Sequence, residues 1–232
     1  MTTDNVAAVV QSLADLPLLA RLPEAALAHL ARASYARRYP RGQVLCSEGD
    51  PGDSLLLLED GQVVVSRISP RGQEIVLATL DAPASFGELS LLDGQPRSAT
   101  VTAQQAVRVR VVPRQVVADL LDREPALARS LLLALTAMVR GGNERLSDLL
   151  TLDIPGRLAK WLLARAERAG VPEAEGVRIA LGRSQGELAA ELGATRVSVN
   201  KALALFQSLG LLELDGGSVL LLRPEELAEY TN

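Results

Sequence analysis

The hydrophobic period changes along this chain, and the places where it changes limit the folds open to it. Residues 6 to 35 repeat Ala and Leu at helical spacing, interrupted at Pro17 and Pro23. From Gly42 to about Val112 the apolar residues come instead in short runs, such as Val63-Val64-Val65, Ile75-Val76-Leu77 and the stretch from Val107 to Val112. β-Branched side chains suit the pleated surface of a strand. Turn signals separate these runs at Glu59-Asp60-Gly61, Ser69-Pro70-Arg71-Gly72 and Asp93-Gly94. Short strands at this spacing indicate a sandwich or barrel. After Pro113 the period is helical again. It predicts a short amphipathic helix near 114–121 and a long one from about Pro125 to Leu152. The class is therefore α+β.

On the long helix, Leu131, Leu135, Met138, Leu146, Leu149 and Leu152 form a stripe near heptad spacing. Nothing obvious in so short-looped a chain covers it, so the spacing points to a second subunit. Packing against the chain's own barrel is the alternative. Gly141-Gly142 costs this helix on the order of 2 kcal/mol relative to alanine. Either the helix bends there or a neighbour closes on its backbone. At Asp153-Ile154-Pro155-Gly156 the proline disfavours the α conformation at Ile154 and suits the first turn of a new helix. This is the natural boundary and hinge, giving segments 1–124, 125–153 and 154–232.

Composition removes several function classes. Cys46 is the only cysteine and His29 the only histidine. That excludes an intrachain disulfide, and any zinc or iron–sulfur site built from several cysteines of one chain. Without a Ser-His-Asp set or a metal-ligand cluster, the chain does not read as an enzyme. No run approaches the roughly 18 apolar residues of a membrane span. Met1 to Asn5 show neither a basic flank nor an apolar run, so the cytoplasm is the expected location. With 28 acids against 24 bases, any nucleic-acid contact must come from local charge placement.

Such placement occurs between Gln185 and Leu209. A first helix buries Leu188, Ala189 and Leu192, and Gly193 stands where a tight turn needs positive φ. Thr195 suits the N-cap of a second helix that buries Val199, Leu203 and Phe206. Its other face carries Arg196, Ser198, Asn200 and Lys201, with no acid from Thr195 to Leu212. This is the spacing of a helix-turn-helix, whose second helix presents its first residues to the major groove. An ordinary helical hairpin is the alternative. Downstream, apolar runs flank Asp215-Gly216-Gly217-Ser218 as the β-hairpin called a wing.

A second cassette reads FGELSLLDGQPRSATV, from Phe86 to Val101. Gly87 precedes a short helical turn from Glu88 to Leu92, whose first N–H groups attract anions. Arg97 offers a forked donor to phosphate oxygens and Ser98 a hydroxyl. Glu88 is an acceptor suited to a sugar hydroxyl. A surface loop with an Arg–Glu salt bridge is the alternative.

Together these segments resemble the cyclic-AMP receptor / FNR (CRP/FNR) family of bacterial transcription regulators over nearly the whole chain. The segment from Glu48 to Ser54 resembles the family's first barrel signature. The Phe86–Val101 cassette resembles that of its cyclic-AMP-binding members, and the segment from Leu152 to Arg157 resembles its hinge. The resemblance implies a jelly-roll-like cyclic-nucleotide-binding β-barrel, a long dimerisation helix and a winged helix-turn-helix. It implies a cyclic-AMP site of Gly87, Glu88, Leu89, Arg97, Ser98 and Asn143, and a DNA-reading set of Ser184, Arg196, Val197, Ser198, Asn200 and Lys201. It also implies a homodimer on a palindromic operator of double-stranded DNA, cyclic AMP as allosteric effector, and RNA polymerase as a partner. Two positions depart from the family. Gly142 stands where a Thr contacts adenine, and Val197 stands where a Glu reads a base. Haem-binding members use His and Cys ligands near the barrel, whereas His29 lies in the N-terminal helical region. The alternatives are an effector-independent regulator of the same fold, and a cyclic-nucleotide-binding module acting on a protein partner.

Overall fold

The computed structural model describes residues 6–231 apart from 71, 73 and 183, so Arg71 of the expected turn and the first five residues lie outside it. The chain forms two compact units, divided within the long helix after Val139.

In the first unit, α1 (Val6–Ala14) and α2 (Glu24–Ala33) precede eight strands. These are β1 (Tyr35–Tyr39), β2 (Val44–Cys46), β3 (Ser54–Asp60), β4 (Gln62–Ile68), β5 (Glu74–Asp81), β6 (Ala84–Phe86), β7 (Thr100–Ala103) and β8 (Val107–Pro113), with helix α3 (Glu88–Asp93) between β6 and β7. They pair as two antiparallel sheets, ordered β1-β8-β3-β6 and β2-β7-β4-β5. The strands thus make a jelly-roll-like sandwich rather than one closed barrel. Tyr39, Leu56, Leu58, Val63, Phe86, Val101 and Val109 fill the space between the sheets.

Strand β3 shows why this sheet needs helices on its outer side. Its residues alternate between faces, and both faces are apolar. Leu56 and Leu58 enter the sandwich, while Leu55 and Leu57 join Leu13, Leu30, Val117, Leu120, Leu127 and Leu131 in a second core. That core is supplied by α1, α2, α4 (Arg114–Arg123) and the first turns of α5 (Pro125–Thr151).

Helix α5 runs unbroken through Gly141-Gly142, and a Cβ built at either glycine meets nothing within 4 Å. Among the described residues, none closes on the backbone there. Of the expected stripe, Leu131 is buried against the first unit and Leu135 and Leu152 are half-buried, whereas Met138, Leu146 and Leu149 are exposed. Packing against the chain's own sandwich therefore takes the start of the stripe and leaves those three residues open.

The second unit begins in the last turns of α5 and continues through α6 (Ile154–Ala169), β9 (Val171–Glu173), β10 (Gly176–Ala180), α7 (Gln185–Glu191), α8 (Arg196–Ser208), β11 (Leu212–Asp215), β12 (Ser218–Leu221) and α9 (Pro224–Ala228). The break after α5 falls one residue earlier than the proline rule suggests. Ile154 opens α6, and Asp153 is the extended N-cap, its carboxylate accepting from Gly156 N at 2.8 Å. Two clasps hold this junction. Arg157 donates from Nη1 to Leu152 O at 2.9 Å and from Nε to Leu192 O at 3.0 Å. Lys160 Nζ meets Asp148 Oδ1 at 2.6 Å.

The β11–β12 hairpin is the expected wing. β12 also pairs with β10, and β10 with β9, making a four-stranded sheet that sequence reading did not anticipate. The core beneath it contains Leu158, Leu162, Ile179, Val199, Leu203 and Phe206. Phe206 meets Tyr230 edge-on, with ring centroids 4.9 Å apart.

Candidate functional site

The first site is built around Arg97. Strand β6 ends at Gly87, whose φ of 88° is open to glycine and strained for other residues. A Cβ there would also overlap Arg97 Nη1. The bare glycine therefore lets the guanidinium lie against the backbone. Arg97 is 6% exposed. Its Nη1 donates to Gly87 O at 3.0 Å and to Ser90 Oγ at 3.4 Å. Its Nη2 donates to Ser54 O at 2.7 Å and to Ser54 Oγ at 3.1 Å. The main chain of Arg97 is held as well, accepting from Gly49 N and donating to Asp50 O. The partners at Ser54 and Ser90 were not anticipated. Ser54 closes the Glu48–Ser54 signature, which is the one sequence signal that could have found it.

All four acceptors are neutral, and among the described residues no carboxylate pairs with this cation. The surface ion pair with Glu88 that a plain loop would use is not formed. Glu88 is buried, and its Oε2 has no hydrogen-bond partner. Burial raises its pKa above the ordinary carboxylate range, against the opposing pull of its own backbone N–H and of Arg97. Leu89 and Ser98 are exposed beside it. One small site therefore holds a buried cation and a buried carboxyl group that do not neutralise each other. Cys46 lies close enough to feel the charge of Arg97, but burial keeps its pKa raised, so it is not a reactive thiolate.

The raised Glu88 pKa makes a signed prediction. The folded state holds this proton more tightly than the unfolded state. Its contribution to stability is therefore complete below the ordinary carboxylate range and is lost as pH rises through the raised value. Glu88→Gln is expected to raise the melting temperature of the nucleotide-free protein at neutral pH and to flatten the pH dependence in that window. Melts of both proteins across a pH series test this.

The second site lies in the C-terminal unit. Ser184 caps α7 in a capping box with Glu187, accepting from Glu187 N at 3.2 Å while Ser184 N donates to Glu187 Oε2 at 2.6 Å. Its exposed hydroxyl proton remains available. Gly193 turns the chain at φ 62°. Thr195 caps α8, accepting from Ser198 N at 3.2 Å, and the Thr195 and Ser198 hydroxyls stand 2.9 Å apart. Leu188, Ala189, Leu192, Val199, Leu203 and Phe206 are buried as their spacing predicts. Arg196, Val197 and Lys201 are exposed on the first turns of α8, Val197 by 64%. Asn200 is half-buried, and its Oδ1 is enclosed without a partner. Ser198 is half-buried and engaged with the cap. The structure therefore brings Arg196, Val197 and Lys201 to one exposed surface, with Ser198 and Asn200 half-buried on the same first turns. Asn143, the remaining expected ligand residue, is exposed on α5.

A sandwich with a buried arginine free of any carboxylate, followed by a winged helix-turn-helix, is the make-up of a DNA-binding regulator that carries its own small-molecule domain. The family description "Cyclic nucleotide-binding domain" matches residues 36–124, and "Crp-like helix-turn-helix domain" matches residues 156–230. The chain is 37% identical over 203 residues to a CRP-like cAMP-activated global transcriptional regulator of Mycobacterium tuberculosis, covering 88% of this chain and 91% of that protein. It is 31% identical over 191 residues to a cyclic AMP receptor protein of Thermus thermophilus, covering 82% of this chain and 85% of that one. The structure of CLP from Xanthomonas campestris, described as c-di-GMP responsive, matches the fold with a TM-score of 0.77 at 20% identity, over 86% of this chain and 99% of that one. The chain belongs to the CRP/FNR family of DNA-binding transcription regulators, which act as regulators and not as enzymes. Among the described residues, no helix is long and apolar enough to cross a membrane.

Proposed function

We propose that this protein is a homodimeric, sequence-specific transcription regulator whose DNA binding is controlled by cyclic AMP in the cytoplasm. The observation that carries the effector reading is the uncompensated pair at the first site. A cyclic nucleotide brings one anionic phosphodiester and one ribose 2′-hydroxyl, the complements of Arg97 and Glu88. In this reading the Arg97 fork and the Ser98 hydroxyl take the phosphate. Glu88 accepts the 2′-hydroxyl, Gly87 and Leu89 line the sugar, and Asn143 meets the base. Gly142 offers the base no hydrogen bond, which relaxes selectivity among purines.

On DNA, Arg196 and Lys201 pair with guanine edges or phosphates, and Val197 offers an apolar surface to a thymine methyl. The Ser184 hydroxyl serves the phosphate backbone, and Ser198 and Asn200 contribute only on rearrangement. A two-fold dimer reads a palindrome. RNA polymerase is the partner expected of an activator. Cyclic AMP acts by binding the DNA-competent arrangement more tightly than the alternative.

Fluorescence anisotropy on an operator selected from random DNA tests this. Saturating cyclic AMP is expected to tighten DNA binding at least about tenfold, a coupling near 1.4 kcal/mol, and affinity is expected to fall steeply with salt. Affinity that ignores cyclic AMP would establish the effector-independent reading instead.

A further inference from the structure

A guanidinium has five N–H donors, and at Arg97 four of them are already engaged. Nη1 donates to Gly87 O and Ser90 Oγ, and Nη2 donates to Ser54 O and Ser54 Oγ. Among the described residues, only the Nε hydrogen has no acceptor. A phosphodiester takes an arginine through two parallel N–H groups, so every forked approach needs one Nη hydrogen back from its present partner. The two carbonyls are fixed. Ser54 O belongs to β3, whose entry is pinned by Arg114 N donating to Asp53 O at 2.8 Å. Gly87 O also accepts from Leu91 N in the first turn of α3. Of the two hydroxyls, that of Ser90 is wedged. Ser90 is 3% exposed, and a Cβ added at Gly52 would overlap its own Cβ. Ser54 is half-buried, and its hydroxyl turns about a single bond.

The proton of the Ser54 hydroxyl is already used. Oγ donates to Asp53 Oδ1 at 3.2 Å while accepting from Arg97 Nη2 at 3.1 Å. A hydroxyl has one hydrogen, so in this orientation it gives Arg97 a lone pair and has none left for an arriving phosphate oxygen. Polarised by the carboxylate, it accepts more strongly than a free serine. Arg97 thus already faces what a phosphate would present, an oxygen backed by negative charge.

We propose that Asp53 and Ser54 form an internal competitor for Arg97, which holds the place of a phosphate oxygen in the empty protein and thereby limits affinity for cyclic AMP. This rests on the effector reading above and adds the residues that set its strength. On binding, the phosphate takes over one Nη2 hydrogen and the Ser54 hydroxyl turns away, while the Ser54 carbonyl keeps the guanidinium in its plane. A contact made only in the empty state weakens binding by its full strength. Asp53 is exposed, so the opposition of its charge to the ligand is screened by salt.

The test titrates cyclic AMP into full-length wild type, Ser54→Ala and Asp53→Asn at low and high salt, with melting curves taken with and without the nucleotide. Ser54→Ala is expected to bind about three- to tenfold more tightly, the equivalent of one hydrogen bond that water partly replaces. Without nucleotide it melts below wild type, because an Nη2 hydrogen loses its acceptor, and saturating cyclic AMP removes the difference. A serine that only supported the fold would lower both curves. Asp53→Asn is expected to tighten binding about threefold at low salt and less at high salt. Ser54→Ala that binds no more tightly than wild type overturns the competitor and leaves the cyclic-AMP reading standing, and so does Asp53→Asn of unchanged affinity at low salt. A folded wild type that does not bind cyclic AMP overturns the effector reading and the competitor together.

Discussion

Arg97→Ala is expected to remove cyclic-AMP binding from the range that isothermal titration detects. The guanidinium offers two parallel donors and a full charge to a phosphodiester, and each charge-assisted bond contributes about 1.5–3 kcal/mol. Losing both weakens affinity by at least about two orders of magnitude. The substitution has a structural component as well, because Arg97 also satisfies the carbonyls of Ser54 and Gly87. Arg97→Lys separates the two contributions. It keeps the charge and loses the planar fork, so it is expected to bind cyclic AMP more weakly than wild type and more tightly than Arg97→Ala. Titrations paired with melting curves distinguish a lost ligand contact from a lost fold. Unchanged affinity in Arg97→Ala would remove this residue from the site.

Phe206→Ala is expected to unfold the DNA-reading unit while leaving the phosphate end of the proposed nucleotide site working. Phe206 is fully buried and touches the Tyr230 ring on one side. Truncating such a ring costs about 3–5 kcal/mol, a large part of the total stability of a small domain. Calorimetry is expected to show the transition of the C-terminal unit lowered by roughly 15–30 °C, with DNA binding lost at growth temperature. Ser54, Gly87, Ser90 and Arg97 all belong to the other unit, so the phosphate end of the nucleotide site is untouched. A variant that loses cyclic AMP and DNA in equal measure would show that the units do not stand apart energetically.

What the sequence disclosed follows from how local each feature is. The Phe86–Val101 cassette is contiguous, so its glycine, acid and arginine announce themselves together. The cap at Thr195 and the turn at Gly193 are likewise settled within a few residues. Features that depend on distant neighbours were hidden. The guanidinium of Arg97 finds Ser54 across 43 positions. Strands β9 and β10 have no buried alternation to betray them. Val171, Pro172 and Glu173 are all exposed, and their strand exists because β10 pairs with β12. The half-burial of Asn200 was hidden as well, because a helical wheel gives a direction and not an exposure. How far the α5 stripe is covered was hidden for the same reason, since only the folded first unit decides that Leu131 is buried while Met138 stays exposed.

The two hydrogen bonds of Arg157 have a mechanical meaning. One rigid, planar group is fastened at one end to the last carbonyl before Asp153 and at the other to the carbonyl that closes α7. It acts as a strut across the joint. Torsion applied at the end of the long helix cannot be absorbed as slack at the extended Asp153, because α7 is drawn along unless two hydrogen bonds are given up. A joint that looks loose from its backbone is thus stiffened by a side chain.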